Sequence, residues 1–278
     1  MVGVALMVGV ACGPFGPGTG AHPTPTYATT EVPEDVSTSF AAPKQPIGPL
    51  PRGSFRVPIV MYHYIRNNPD PADKMGEALS VPPEKFQREM DWLRDNGYSA
   101  VTFDDLQTYL SGRRPPPAHP VVLTFDDGYA DFYTTAMPIL RQHTFIAVAY
   151  VVTGFLNRPG YLTSEQVFQL DHGDGVQIGV HSVSHPDLTR VPPGQLQHEL
   201  VDSRSTLERL LGHKVLDFCY PGGRFNDAVI RAVQAAGYRD ATTTQPGTVH
   251  SAADRYSWTR VRAGGQESME DFVKDVTG

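Results

Sequence analysis

Two adjacent carboxylates, Asp126 and Asp127, stand at the end of the apolar run Val121-Val-Leu-Thr-Phe125 and directly before Gly128. A strand sends neighbouring side chains to opposite sides, so one backbone can aim two carboxylates in different directions from one place. One can then hold a metal while the other handles a proton. The alternative use is a helix N-cap, because an Asp ahead of the helix-like segment 129–141 is ordinary. Further along, His181 and His185 lie four residues apart, immediately after the strand-like segment 176–180. Residues at that spacing face the same way in one helical turn, and imidazole nitrogens ligate zinc-like ions. Pro186 disfavours a helix running through His185, which leaves a single turn or a folded loop. Loop histidines bonded to the backbone are the alternative reading of this pair. Two His with one carboxylate leave an open position for water, as a hydrolytic metal site requires.

These residues need elements to position them. Strand-type runs fall at 57–65, 98–103, 121–125, 145–152, 176–180, 214–220, 238–243 and 256–261. Helical spacing falls at 81–93, where Phe86, Met90 and Leu93 share one face, and at 104–110, 129–141, 164–170, 193–211, 227–236 and 269–276. Pro138 predicts a kink in the third of these helices. Such alternation predicts parallel strands with crossover helices. The expected fold is α/β, a distorted or incomplete (β/α) barrel, favoured over an open doubly wound sheet. The reason is placement: His63, the Asp126/Asp127 pair, His181, Pro221-Gly-Gly and Arg260 all lie at or just after strand ends. Barrel active sites are assembled at that C-terminal face.

The chain of 278 residues is 40% hydrophobic and 19% charged, enough for one large α/β domain. A net charge of -7 argues against a nucleic-acid partner. No strand end carries a Gly-rich phosphate loop, which argues against a nucleotide cofactor. The two cysteines, Cys12 and Cys219, supply no disulfide framework. Residues 1–20 resemble an export signal with an apolar core too short to span a bilayer as a helix. Ala11-Cys12-Gly13 also resembles a lipoprotein cleavage site, at which Cys12 takes the lipid and ties the chain to a membrane. Residues 21–55 read as a Pro-rich disordered linker, and 56–278 as the catalytic domain. The expected location is outside the cytoplasm, secreted or associated with the cell envelope.

Thr124-Phe-Asp-Asp-Gly128 and His181-Ser-Val-Ser-His-Pro186 resemble the first two motifs of the polysaccharide deacetylases, a carbohydrate-esterase family, in the expected order. The resemblance covers residues 57 to 269. It implies one divalent ion, usually zinc with nickel, cobalt or iron as alternatives, held by Asp127, His181 and His185, and Asp126 as general base. The third motif, normally Arg-Pro-Pro-Tyr-Gly, reads Cys219-Tyr-Pro-Gly-Gly223 here. Tyr220, Pro221 and Gly222 are thereby candidates for substrate and oxyanion contacts, the last through its backbone N–H. Cys219 replaces the arginine that orients the base, and Arg260, in Trp258-Thr-Arg-Val261, is the candidate substitute. The usual C-terminal Leu-x-His segment is absent. Tyr62-His63 instead resembles the permuted arrangement of poly-N-acetylglucosamine deacetylases, which implies His63 as the acid.

The activity implied is removal of N-acetyl groups from an acetylated amino-sugar polymer or oligomer. An O-acetyl polysaccharide esterase uses the same machinery and is the nearest alternative. Two His and one Asp also describe the facial triad of non-haem iron oxygenases, which the second Asp and the alternating pattern fit less well. A catalytically silent glycan-binding module is the third reading, raised by the missing arginine. Tyr129, Tyr220 and Trp258 lie near the proposed site, with core packing the default for each. His22, His119, His143, His172, His198, His213 and His250 are expected in surface or loop roles.

Overall fold

In the computed structural model, which describes residues 53–278, twelve strands follow one another. They are β1 (Ser54–Arg56), β2 (Ile59–Tyr62), β3 (Tyr64–Ile65), β4 (Ser80–Val81), β5 (Tyr98–Ala100), β6 (His119–Phe125), β7 (Val148–Val151), β8 (Gln177–Val180), β9 (Asp217–Cys219), β10 (Asp240–Pro246), β11 (Val249–Ser251) and β12 (Trp258–Arg262). The helices are α1 (Lys74–Leu79), α2 (Pro83–Asp95), α3 (Phe103–Leu110), α4 (Met137–Gln142), α5 (Ser164–Asp174), α6 (Pro193–Gln197), α7 (Ser203–Leu211), α8 (Asp227–Ala235) and α9 (Met269–Thr277). Strands β2, β6, β7, β8, β9, β10 and β12 pair in that order, all parallel, and β12 returns to β2. This closed barrel of seven strands, one short of the usual eight, is the incomplete (β/α) barrel expected. Strand β5 flanks the N-terminal half of β6, with Tyr98 opposite His119.

Side chains alternate between two cores, as a strand period of two dictates. Ile59, Val122, Val148, Tyr150, Cys219 and Trp258 fill the barrel interior. Val60, Leu123, Phe125, Phe218 and Val261 face outward, where Phe86, Met90 and Leu93 of α2 and the other helices cover them. Gly179 on β8 belongs to the interior phase, because a Cβ there would lie 2.5 Å from the Tyr150 ring.

Several elements differ from expectation. The run 57–65 is broken at His63, so that β3 leaves the barrel and pairs with β4. The run 98–103 stops at Ala100, because Thr102 and Asp105 form a capping box that starts α3. The predicted helix 129–141 opens as a π-turn, Phe132–Ala136, before α4; Pro138 has no N–H to continue an α-ladder. A second π-turn, His198–Asp202, divides the predicted helix 193–211. Helix α1 and the antiparallel pair β1–β11 were not anticipated, and β1 takes up the end of the predicted linker. The segment 1–20, Cys12, His22 and most of the linker 21–55 lie outside the described residues. Among the described residues no helix is long and apolar enough to cross a membrane.

Candidate active site

The β2–β6 ladder continues one residue past β6, with Asp126 N donating to Tyr62 O at 2.9 Å. Asp126 therefore keeps the interior phase and sits 3% exposed at the barrel's C-terminal mouth. The chain then turns sharply: Asp127 and Gly128 both take positive φ, 71° and 75°. Asp127 is a non-glycine residue in the left-handed region, an outlier of the kind that collects at functional sites. That turn separates the two carboxylates.

Asp126 faces an arginine. Arg260, interior on β12, donates to both of its oxygens at 2.8 and 2.7 Å. The guanidinium is held by Thr243 O at 2.7 Å and Thr124 Oγ1 at 3.1 Å. Such bidentate geometry fixes a carboxylate's plane. Burial alone would raise the Asp126 carboxyl, but Arg260, with help from His63 and His181, holds it well below the usual range. Cys219 Sγ lies beside the pair, 3.2 Å from Arg260 Nη2 and 3.6 Å from Asp126 Oδ2. His63 Nε2 approaches Asp126 Oδ2 to 3.9 Å. Burial lowers the His63 pKa despite the opposing pull of Asp126 and Asp127, so its ring sheds a proton more readily than a free imidazole.

Asp127 faces two histidines instead. Its Oδ1 lies 3.4 Å from His181 Nε2 and 3.4 Å from His185 Nε2. His181 Nδ1 is 2.8 Å from the Cys219 carbonyl; a carbonyl only accepts, so Nδ1 carries a proton and Nε2 is the nitrogen left to face Asp127. This outer bond orients a ligating imidazole and fixes its tautomer. Asp127 Oδ1 has no hydrogen-bond partner although it is buried. An orphaned carboxylate oxygen between two imidazole nitrogens, with ligand atoms of all three residues within 4.8 Å of one another, fits a divalent cation. Asp126, His181 and Cys219 form a second such group. There Arg260 already engages both the carboxylate and the thiol, which disfavours an added cation. His185, with its side chain 34% exposed, leaves the first group open to the mouth.

The Pro221–Gly223 turn follows β9 directly, with Gly222 at φ 59°. Tyr220 does not line the mouth. Cys219 points inward, so Tyr220 points outward by strand parity; it is 0% exposed, stacks on Phe225 and donates to Tyr256 O. Its side chain is thereby removed as a substrate contact. Trp258 is likewise buried in the barrel and donates to Ser251 O. Tyr129 stands beside Asp127, but its ring lies against Tyr64 at 3.6 Å and Tyr161 at 5.2 Å. Of the remaining histidines, His143 and His250 are buried rather than on the surface, bonded to Asp91 and Val57 O. The sequence reading missed Thr124 and Thr243, which steady Arg260, and the Cys219 carbonyl. Strand parity in β6 would have flagged Thr124; the other two depend on neighbours far along the chain.

The sequence profile described as polysaccharide deacetylase matches residues 113–241. The chain is 31% identical over 207 residues to YxkH of Bacillus subtilis (strain 168), whose name places it in that family; the match covers 74% of this chain and 71% of YxkH. It is 38% identical to the poly-beta-1,6-N-acetyl-D-glucosamine N-deacetylase of Escherichia coli (strain K12), over 71% of this chain but 36% of that enzyme. Among solved structures, the Streptococcus pyogenes deacetylase PplD in complex with acetate superposes with a TM-score of 0.73. Its identity is 30%, with 80% of this chain and 98% of that one covered.

Proposed function

Because the chain belongs to the polysaccharide deacetylase family, we propose that it removes N-acetyl groups from an N-acetylglucosamine-containing polysaccharide with the help of one divalent ion, zinc. Asp127, His181 and His185 would hold that ion. The observation that carries this reading is the orphaned Asp127 Oδ1, placed equally far from two Nε2 atoms while its neighbour Asp126 is reserved by Arg260. When bound there, such an ion would supply Lewis acidity for the amide carbonyl and for water.

The protein's own groups supply the rest. Asp126, kept ionised by Arg260, accepts the proton of the attacking water at Oδ2. The Gly222 N–H is assigned to the developing oxyanion, at the left-handed turn that brings its backbone round. An amine leaves only when protonated, and His63 gives that proton to the departing nitrogen. Low basicity suits His63 to this role, since at 3.9 Å from Asp126 it can take the base's proton by relay and surrender it at once. The leading segment 1–20 would carry domain 56–278 out of the cytoplasm, to an exopolysaccharide, peptidoglycan or chitin-like polymer.

Acetate release is the test. The purified chain, stripped with chelator and reloaded with zinc, is offered N-acetylglucosamine oligomers, peptidoglycan and O-acetylated xylan. Zinc-restored release from an N-acetylated substrate is expected; release from xylan alone would make it an O-acetyl esterase, and none at all a binding module. His63→Ala should slow amide cleavage by roughly 10²–10⁴-fold while sparing 4-nitrophenyl acetate, whose phenolate leaves without a proton. Equal loss on both substrates would remove His63 from the mechanism.

A further inference from the structure

The loop that carries the two histidines is backbone of an improbable kind. Ser182 and His185 both take positive φ, 68° and 57°, a conformation disfavoured for L-residues. One bond inside the loop, His185 N to Ser182 Oγ at 2.9 Å, ties these two residues together, and groups outside it add the rest. On its carbonyl side, the turn Thr153–Phe155 after β7 supplies two donors: Thr153 N to Ser182 O at 3.1 Å and Gly154 N to Val183 O at 2.8 Å. Gly154 is required for that approach, because a Cβ there would fall 2.5 Å from Val183 O.

On its amide side stands Glu199. One carboxylate oxygen accepts from Val183 N at 2.8 Å and Ser184 N at 2.9 Å, and the other from Ser184 Oγ at 2.6 Å. Glu199 itself is 1% exposed, so a buried carboxylate makes charge-assisted bonds to a loop that is half-buried at Val183 and exposed at Ser184. It lies in the π-turn His198–Asp202, and such turns recur at functional sites. Nothing in the deacetylation chemistry uses this carboxylate: its three donors all belong to the two residues between Ser182 and His185.

We propose that Glu199 is a positioning residue for the metal site, fixing the 182–185 loop so that His181 and His185 aim their Nε2 atoms at Asp127 before an ion arrives. The proposal rests on the metal reading above. Without the carboxylate, two N–H groups lose the acceptor that ties them to the helix, and the loop is released to find other partners. His181 stays anchored by Cys219 O, whereas His185, at the loop's far end, drifts from the shared focus.

The test measures zinc affinity of the full chain by chelator competition, with the visible spectrum of the cobalt form as a second readout. Glu199→Ala should weaken zinc binding by about 10–100-fold, the usual effect of losing an outer partner, and shift the cobalt bands. Glu199→Gln can keep both N–H bonds through its carbonyl and turn its NH₂ to Ser184 Oγ, so it should hold zinc within about threefold. Leu200→Ala, on the same turn but making none of these hydrogen bonds to the loop, controls for lost stability and should leave affinity unchanged. Unaltered zinc binding in Glu199→Ala overturns the proposal, as does equal weakening in Leu200→Ala or failure of Gln to rescue. Should Glu199→Ala not fold, Ser184→Ala must weaken zinc by about fivefold for the lost hydrogen bond, or the proposal falls. A wild-type chain that binds no zinc sinks the metal reading itself.

Discussion

Both ends of the barrel carry a buried Asp gripped by a bidentate Arg, yet only one end sets a second carboxylate between two histidines. At the C-terminal mouth Arg260 holds Asp126 at 2.8 and 2.7 Å. At the N-terminal end Arg239 holds Asp217 at 2.8 and 2.9 Å. The difference lies in the second carboxylate. At the top, the left-handed turn at Asp127 swings it away from Asp126 toward two histidines, and both acids are held below the usual carboxylate range against burial. At the bottom, Asp240 packs against Asp217 and shares its arginine at 3.5 Å. Burial, then the charge of Asp217, pushes Asp240 well above the ordinary value, and burial also raises Asp217. Both shifts favour a proton kept on that pair. Gln177 and Gln107 donate to Asp217 and Asp240 respectively. A buried ion pair therefore says little about activity; where its neighbour points says much.

Removing each arginine in turn tests this contrast most sharply. Arg260→Met should cut acetate release by about 10²–10⁴-fold, the worth of an oriented general base, with zinc retained. Arg239→Met should cost about 3 kcal/mol of stability in urea unfolding, the low end for a broken buried pair, with turnover per folded molecule nearly unchanged. Comparable turnover losses in the two variants would erase the distinction.

How far the sequence reveals this depends on the range of the interactions. Asp126, Asp127, His181 and His185 are legible because each sits at a strand end whose apolar run announces it. Arg260 follows from the absence of an arginine at position 219, and the structure places it against Asp126. Tyr220 misleads, because its facing depends on the register of β9 against β10, set by pairs such as Thr242 with Cys219. No local pattern encodes that register. Glu199 is invisible for the same reason: a carboxylate on a helix reads as solvent-facing until the fold brings the histidine loop onto it. Pro138 announces one π-turn, whereas the one at 198–202 has no comparable local marker.

The pH dependence of stability should differ in sign between the two ends. Asp240 binds its proton more tightly folded than unfolded. Its contribution is thus complete below the unfolded carboxylate pKa and is lost as pH rises through the folded value. Asp240→Asn has no proton to lose, so it should match wild type in acid and exceed it in stability at mildly alkaline pH. Asp126, held low, contributes stability that is present above the unfolded pKa and lost as pH falls. Asp126→Asn should therefore be weaker than wild type near neutrality and converge with it in acid. Thermal unfolding across pH, in chelator so that bound metal adds nothing, measures both. Parallel slopes for the two variants would contradict the proton assignment.

The smallest expected effect belongs to Cys219, the group that makes the upper pair a trio. Its thiol touches both Arg260 and Asp126, yet at 3.2 and 3.6 Å and with a weak S–H donor it adds little to a bidentate ion pair. Its stronger contribution is the carbonyl that orients His181, and a side-chain substitution leaves that carbonyl in place. Cys219→Ala should therefore keep zinc and lose no more than about fivefold in acetate release, the scale of one weak hydrogen bond. A loss matching Arg260→Met would make the thiol a true partner of the base. Loss of zinc would shift attention to the group formed by Asp126, His181 and Cys219, and the division of labour between the two carboxylates would have to be redrawn.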